Sequence, residues 1–468
     1  MRRYVIEFIE KCVFYAFIFL IPLQTRRIFY FWGNEFNEWT AVSLYAMDIL
    51  ALALFVFWAR RIIAGVGKIK LAGVDYFLFA FLVWSGISVF FAANFYLGVY
   101  HWVKLAEMVF LFFYTRQFLA LNKKNGSVLV VWIWVVSAFT QSIVAIAQFF
   151  KQGDLGLRIF HESPIGALID GVAKIDIDGL KIVRAYGLFP HPNLLAAFLG
   201  IAIFGCYWLW LFDSPSSPLP VPQILRDGER RTVRLNEERK SKIKSCVLWF
   251  MLSVIFTGLF LTFSRSAIAL VVVLSFVFLI FSYFSNAELN QKKEIGKLIL
   301  FVILCLTFLF VLLQPLLISR FNIDIGEQAV NLRVMYNKVA FDFIKKSPVF
   351  GVGIGNFVYE FKLNFGDMEF WQYQPVHNLY LLIAAETGIF GLVLFLGFIG
   401  LLSRGIFLIG YTNNPKSKAF IFYFLFSIFY FLLLGFADHY FWTLQQGALM
   451  MWVVFGILYP FILKKCDE

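Results

Sequence analysis

The chain has 468 residues, of which 61% are hydrophobic, 20% aromatic and only 15% charged, with a mean hydropathy of +0.78. This composition excludes a soluble globular domain, which needs far more polar surface. The formal charge of +12 does not point to nucleic acid, because Lys and Arg are spread through the segments between apolar blocks.

Those blocks are about 20 residues long, enough to cross a ~30 Å hydrocarbon layer as helices, and they lack the polar and apolar alternation of barrel strands. In chain order they fall at 5–23, 41–59, 72–91, 98–119, 128–150, 192–212, 246–263, 266–284, 298–318, 377–402, 419–436 and 442–463. The expected fold is all-α: a polytopic helical membrane protein with about 12 transmembrane helices, residues 1–468 forming a single integral membrane domain. The first block follows Met1, Arg2 and Arg3 and continues to Leu23 without a small-residue cleavage site, so a retained helix is expected rather than a signal peptide. Cys12, Cys206, Cys246, Cys305 and Cys466 show no CxxC or CxxH spacing, and no zinc site or disulfide framework is expected.

Charge sets the orientation. With the N-terminus inside, Arg60, Arg61, Lys68, Lys70, Lys123, Lys124, Lys292, Lys293, Lys297, Lys416, Lys418, Lys464 and Lys465 all lie on the cytoplasmic side, and both termini are cytoplasmic. The basic segment 213–245, with "SPSSPLPVP" and "LRDGERRTVRLNEERKSKIK", reads as a flexible cytoplasmic loop. On the outer side, 151–191 and 319–376 are too long to be simple turns. In the second, Leu332, Tyr336, Val339, Phe343 and Ile344 recur at near-helical spacing before Ser347-Pro348, which predicts an amphipathic helix at the outer membrane surface ahead of the tenth span. No internal repeat is visible, nor the similarity between halves often seen in transporters.

The distinctive polar residues gather on the outer side. "RAYGLFPHPN" brings Arg184, His191 and Asn193 to the start of the sixth span, and "TFSRSA" puts Ser264 and Arg265 in the turn before the eighth. Arg333 sits on the amphipathic helix, and His377 with Asn378 opens the tenth span. Free N–H groups at three helix starts, with two or three arginines nearby, suit a phosphate or diphosphate. The alternatives are capping roles for His191 and Asn193, head-group contact for Arg265 and plain solvation for Arg333.

On a straight helix His377, Ala384, Gly388 and Gly391 share one stripe, where small residues let a neighbour approach and aim the imidazole. An imidazole of ordinary pKa ~6.5 can take a proton from a hydroxyl, so His377 is a candidate general base, with an interfacial cap as the alternative. Glu386, on the opposite face, is expected to be buried and paired, or protonated. "GVGIGNF" lacks the strand and the Lys-Ser/Thr of a nucleotide loop and reads as a turn. Lys104 and Glu107 are expected to pair, and Asp48, Asp75, Asp438 and His439 are open between structural and cavity-lining roles. No HExxH arrangement lies on the outer side, and no catalytic metal is expected there.

These residues resemble the bacterial family of O-antigen ligases and O-antigen polymerases. The likeness lies in "RAYGLFPHPN", in Ser264-Arg265, in "LRVMYNKVAFDFIKKSPVFGVGIGNF", and above all in His377-Asn378 followed by nine residues, Gly388, two more and Gly391. It covers the chain from about Arg184 to about Leu402.

The resemblance implies a multi-pass protein of the inner (cytoplasmic) membrane whose active site faces the periplasm, where 151–191 and 319–376 would be loops. The donor would be a glycan on undecaprenyl diphosphate, transferred to lipid A–core or to another glycan without nucleotide, cofactor or metal, and with no nucleic acid partner. By position, Arg265 and Arg333 would bind the diphosphate and stabilise its departure, and His377 would orient or deprotonate the acceptor hydroxyl. Arg184, His191, Asn193, Ser264 and Asn378 would support substrate binding. A polymerase or a protein O-oligosaccharyltransferase would share these motifs; a polysaccharide or lipid transporter is the reading of another class.

Overall fold

A computed structural model describes residues 2–66, 71–122, 126–177, 179–213, 227–285, 289–321, 328–366, 368–409 and 415–463. Among these, eight helices have the length and apolar composition to cross a membrane, and the apolar helices Leu425–Gly435 and Gln445–Ile457 are shorter. The chain is thus a mostly helical, multi-pass protein, with two small β-hairpins as departures from an all-α expectation.

Helix α1 (Arg2–Leu20) leads into the antiparallel hairpin β1 (Arg26–Phe31) and β2 (Ala41–Tyr45). The second apolar block was expected to enter its helix at residue 41. Instead 41–45 alternates buried and more open positions and pairs with β1, and α2 (Ala46–Ile63) begins only where Asp48 accepts the Tyr45 N–H at 2.9 Å. Asp75 likewise accepts the Ala72 N–H (2.8 Å) at the start of α3 (Gly73–Ser88), and it pairs with Arg116 (2.8 Å) of α4 (Phe95–Leu121). Both aspartates are therefore structural. Lys104 pairs first with Asp48, its expected partner Glu107 standing 3.7 Å away.

After α5 (Gly126–Lys151), the connection to the next span carries the second hairpin, β3 (Lys174–Ile177) and β4 (Leu180–Val183). Helix α6 (Pro192–Trp208) is buried along its whole length because its Ala and Gly residues admit close neighbours. At Gly200 a Cβ would overlap the Tyr430 hydroxyl, which donates instead to the Ala196 carbonyl at 3.2 Å.

The basic segment 213–245 does not behave as one loop. From Asp227 it is already the first part of α7 (Asp227–Leu261), since Arg, Glu and Lys are good helix formers and nothing from 227 onward breaks the run. The proline-rich stretch before it lies outside the described residues. Helix α8 (Arg265–Ser285) follows a tight turn, and α9 (Leu289–Phe321) leaves Leu300, Leu304, Phe308 and Val311 exposed, as a lipid-facing helix does.

The segment before the next span contains α10 (Gln328–Lys346) and the short α11 (Phe357–Asn364). The expected amphipathic helix is present, but Tyr336, Val339 and Phe343 face Phe357, Phe361 and Tyr373, so its apolar stripe is turned onto protein. "GVGIGNF" is a turn, with Gly351, Gly353 and Gly355 at positive φ (70°, 90°, 70°). Buried Glu386 holds it by accepting N–H bonds from Gly355 (2.9 Å) and Phe357 (3.3 Å) and the Trp442 indole N–H (2.7 Å).

Helix α12 (Leu379–Ile409) is not straight. Gly388 sits at φ 75°, ψ 172°, and the Ile389 N–H turns out to the Pro348 carbonyl at 2.8 Å. A Cβ at Gly388 would overlap the Val349 carbonyl. The spacing that suggested a smooth packing stripe instead marks a helix break into which 347–352 plugs. Gly388→Ala is therefore expected to cost more than ~2 kcal/mol, from a backbone conformation open only to glycine plus the overlap; a thermal shift of the purified variant below wild type checks this. The bundle closes with α13 (Pro415–Gly435), the single turn α14 (Tyr440–Thr443) and α15 (Gln445–Leu463).

Candidate active site

The start of α6 is built from the RAYGLFPHPN segment. Gln148 Oε1 accepts the N–H groups of Tyr186 (3.1 Å) and Gly187 (2.8 Å), and Gln141 Oε1 that of Leu188 (2.9 Å). Pro192 occupies the first helical position, and His191 caps it, its Nδ1 accepting the Asn193 N–H at 3.2 Å. The buried Arg184 donates through Nε to the Thr262 carbonyl (2.6 Å) and through Nη2 to Asn193 Oδ1 (2.7 Å), while the Ala185 N–H donates to the Leu261 carbonyl (3.0 Å). This ties the α6 start to the turn before α8, where Ser264 is buried and Arg265 is half-buried. Arg265 Nη1 is enclosed without a hydrogen-bond partner.

Asn193 then reaches forward, its Nδ2 donating to Asp438 Oδ2 at 2.9 Å. Asp438 and His439 form the corner between α13 and α14, with Asp438 Oδ1 accepting the His439 N–H (2.9 Å) and His439 Nδ1 bonded to Thr443 Oγ1 (2.7 Å). The ring of His377 meets that of His439 edge to face at 5.0 Å and lies flat against Tyr336 at 5.7 Å, tilted by only 9°. Tyr336 is fixed in turn by donating to the Gln372 carbonyl at 2.6 Å. From the first hairpin, Trp39 packs edge-on against His439 at 5.2 Å.

Burial lowers the pKa of His377, helped by Arg333 and opposed by Asp438 and the Pro375 carbonyl. His191 and His439 are each pushed down to about 3, first by burial and then by positive neighbours that include Arg333. Arg333, exposed on α10, thus lies close enough to be felt by all three histidines. Burial alone would raise the Asp438 carboxyl, but His439, His377, His191 and the Asn193 amide outweigh it and hold it at about 2. At neutral pH the cluster is one carboxylate, neutral imidazoles and a nearby guanidinium.

Of the residues singled out in the sequence, Arg184, His191, Asn193, Arg333 and His377 converge here, and Ser264 and Arg265 join through the Thr262 turn. Asn378 serves as the cap of α12, its Oδ1 accepting the Tyr380 and Leu381 N–H groups at 3.0 Å each. Asp438, His439, Tyr336 and Trp39 are the members that sequence reasoning did not assign. The adjacent Asp-His pair just past an apolar block was the available signal.

The proton-accepting atoms of His377, Asp438 and His439 also lie within 4.8 Å of one another, a grouping that no local metal motif announced. Each Asp438 oxygen already accepts a hydrogen bond, and His439 Nδ1 is engaged by Thr443. His377 Nδ1 is buried without a hydrogen-bond partner. A half-buried, neutral imidazole with one ring nitrogen unpartnered and a guanidinium nearby can take a proton from a hydroxyl while nearby cations hold an anion.

No curated protein matches the chain. The family model described as O-Antigen ligase matches residues 249–396, which include Ser264, Arg265, Arg333, His377, Asn378 and Gly388. The match ends before Asp438 and begins after Asn193, so the cluster is completed by residues on either side of it. Over these residues the chain is similar to the O-antigen ligase family, and its apolar helices make it a multi-pass membrane protein.

Proposed function

We propose that the protein transfers a glycan from undecaprenyl diphosphate to a hydroxyl of lipid A–core, at the periplasmic face of the bacterial inner membrane. The observation that carries this reading is the half-buried imidazole of His377, its Nδ1 enclosed without a partner, beside Asp438 and His439 and within reach of Arg333. His377 accepts the acceptor hydroxyl's proton as the oxygen attacks the anomeric carbon. The bond from that carbon to the diphosphate breaks, and Arg265, Arg333 and the starts of α6 and α8 stabilise the leaving charge. Arg184, His191, Asn193 and Ser264 hold those helix starts in place, and Asn378 sets the pose of His377. Attack opposite the leaving group inverts the anomeric configuration, so finding the donor's configuration retained in the product linkage would refute this geometry.

The test is reconstitution of the purified protein with a lipid-diphosphate-linked glycan and lipid A–core, in EDTA and without nucleotide. Glycan is expected to appear on lipid A–core at an undiminished rate in EDTA. Loss of transfer in EDTA, restored by a divalent cation, would turn His377, Asp438 and His439 into metal ligands. Lengthening of the glycan in place of transfer to lipid A–core would make the protein a polymerase.

A further inference from the structure

A cavity of about 450 Å³ opens at the end of the bundle away from the histidine cluster. Helix α4 links the two ends. Near its start the Asn94 N–H is bound by Asn356 Oδ1 (2.9 Å), in the segment before α12, and about 40 Å further on its last residues, Phe118 to Asn122, line this cavity. The remaining walls come from α1 and from the end of α2.

The cavity combines charge with apolar wall. Arg61 spans its floor, paired with Glu10 at 3.1 Å and lying over the Tyr114 ring at 5.4 Å, and Tyr114 donates to the same Glu10 at 2.9 Å. The Glu10 charge is thereby committed, yet Arg61 Nε remains buried with no hydrogen-bond partner. Lys11 and Arg60 stand exposed at the mouth, so the three cations outnumber the two carboxylates, Glu7 and Glu10. Phe57 and Phe118 supply aromatic wall beside them.

We propose that this cavity binds the head group of an anionic phospholipid, the phosphate lying between the exposed cations Lys11 and Arg60, and the acyl chains running along Phe57 and Leu121. The place fits that ligand, because the spanning helix α4 ends at Leu121 beside Arg60 and Arg61, where a span meets the head-group layer, and basic pockets between helices select anionic lipids. A free phosphate would share the cationic contacts and leave the apolar wall unused.

The experiment is native mass spectrometry of the full chain released from phosphatidylcholine nanodiscs doped with phosphatidylglycerol. The wild-type protein is expected to retain phosphatidylglycerol in preference to phosphatidylcholine. Lys11→Gln and Arg60→Gln, which leave the Glu10–Arg61 pair intact, should each weaken retention about fivefold. Arg333→Gln, at the opposite end, should leave it unchanged. Equal retention of the two lipids, or equal retention by wild type and the Lys11/Arg60 double variant, would overturn the proposal. Displacement of the lipid by millimolar inorganic phosphate would reassign the cavity to a soluble phosphate, and loss in Arg333→Gln would reassign the lipid to the other site.

Discussion

A His377→Ala variant is expected to lose glycan transfer by about 10²–10⁴-fold while still binding the lipid-diphosphate donor. The imidazole is held by Tyr336 on one side and His439 on another, and its Nδ1 has no hydrogen-bond partner, so removing it costs the fold only these ring contacts and the interaction with the Pro375 carbonyl. The α12 cap belongs to Asn378 and survives the change. Donor binding and single-turnover transfer, measured separately, decide the role: lost binding would make His377 a phosphate contact and not a base. The pH profile gives a second readout. Because burial lowers the His377 pKa from its ordinary 6.5, the neutral, proton-accepting form persists at and somewhat below that pH. The acid limb of kcat/KM should therefore fall below pH 6.5, with activity flat above it until other groups titrate. A limb centred above 6.5 would contradict a buried neutral base.

Much of this site was legible in the sequence because its parts are local. An Arg or His beside a helix start, a Pro at the first helical position and a Gly pair at fixed spacing are short-range facts, and they located Arg184, His191, Asn193, Arg265, His377 and Asn378 at helix starts or in the turns beside them. What the sequence did not carry was which of them meet. Asn193 and Asp438 are far apart along the chain yet bonded at 2.9 Å, because α6 and α13 pack together with Tyr430 over Gly200. Trp39 was hidden for another reason: residues 41–45 are apolar enough to read as the start of a span, and only their pairing with β1 carries the preceding turn to His439. Gly388 misled through its context, since a glycine in an apolar run suggests close helix packing as readily as a break. The basic stretch after Asp227 failed in the opposite sense, polarity suggesting a loop where intrinsic propensity gave a helix.

Arg265 should separate function from stability more sharply than any other residue here. It is the first residue of α8, where the helix's free N–H groups already place partial positive charge, so its guanidinium is electrostatically misplaced by ~0.3–1 kcal/mol. Its Nη1 is enclosed with no hydrogen-bond partner, which adds to the misfit. Neither feature favours the folded state, and both are resolved once a diphosphate lies across the turn: the helix start and the guanidinium then face an anion together, and the enclosed N–H gains an acceptor. Arg265→Ala is thus expected to leave abundance and thermal stability unchanged or slightly raised, while transfer falls by about 10²–10³-fold, the size of effect seen when one donor to a developing anion is removed. Arg265→Lys keeps the charge without the planar fork and should recover only part of the rate. Full activity in Arg265→Ala would remove the diphosphate from this turn; a marked fall in its melting temperature would mean that the guanidinium supports the fold after all.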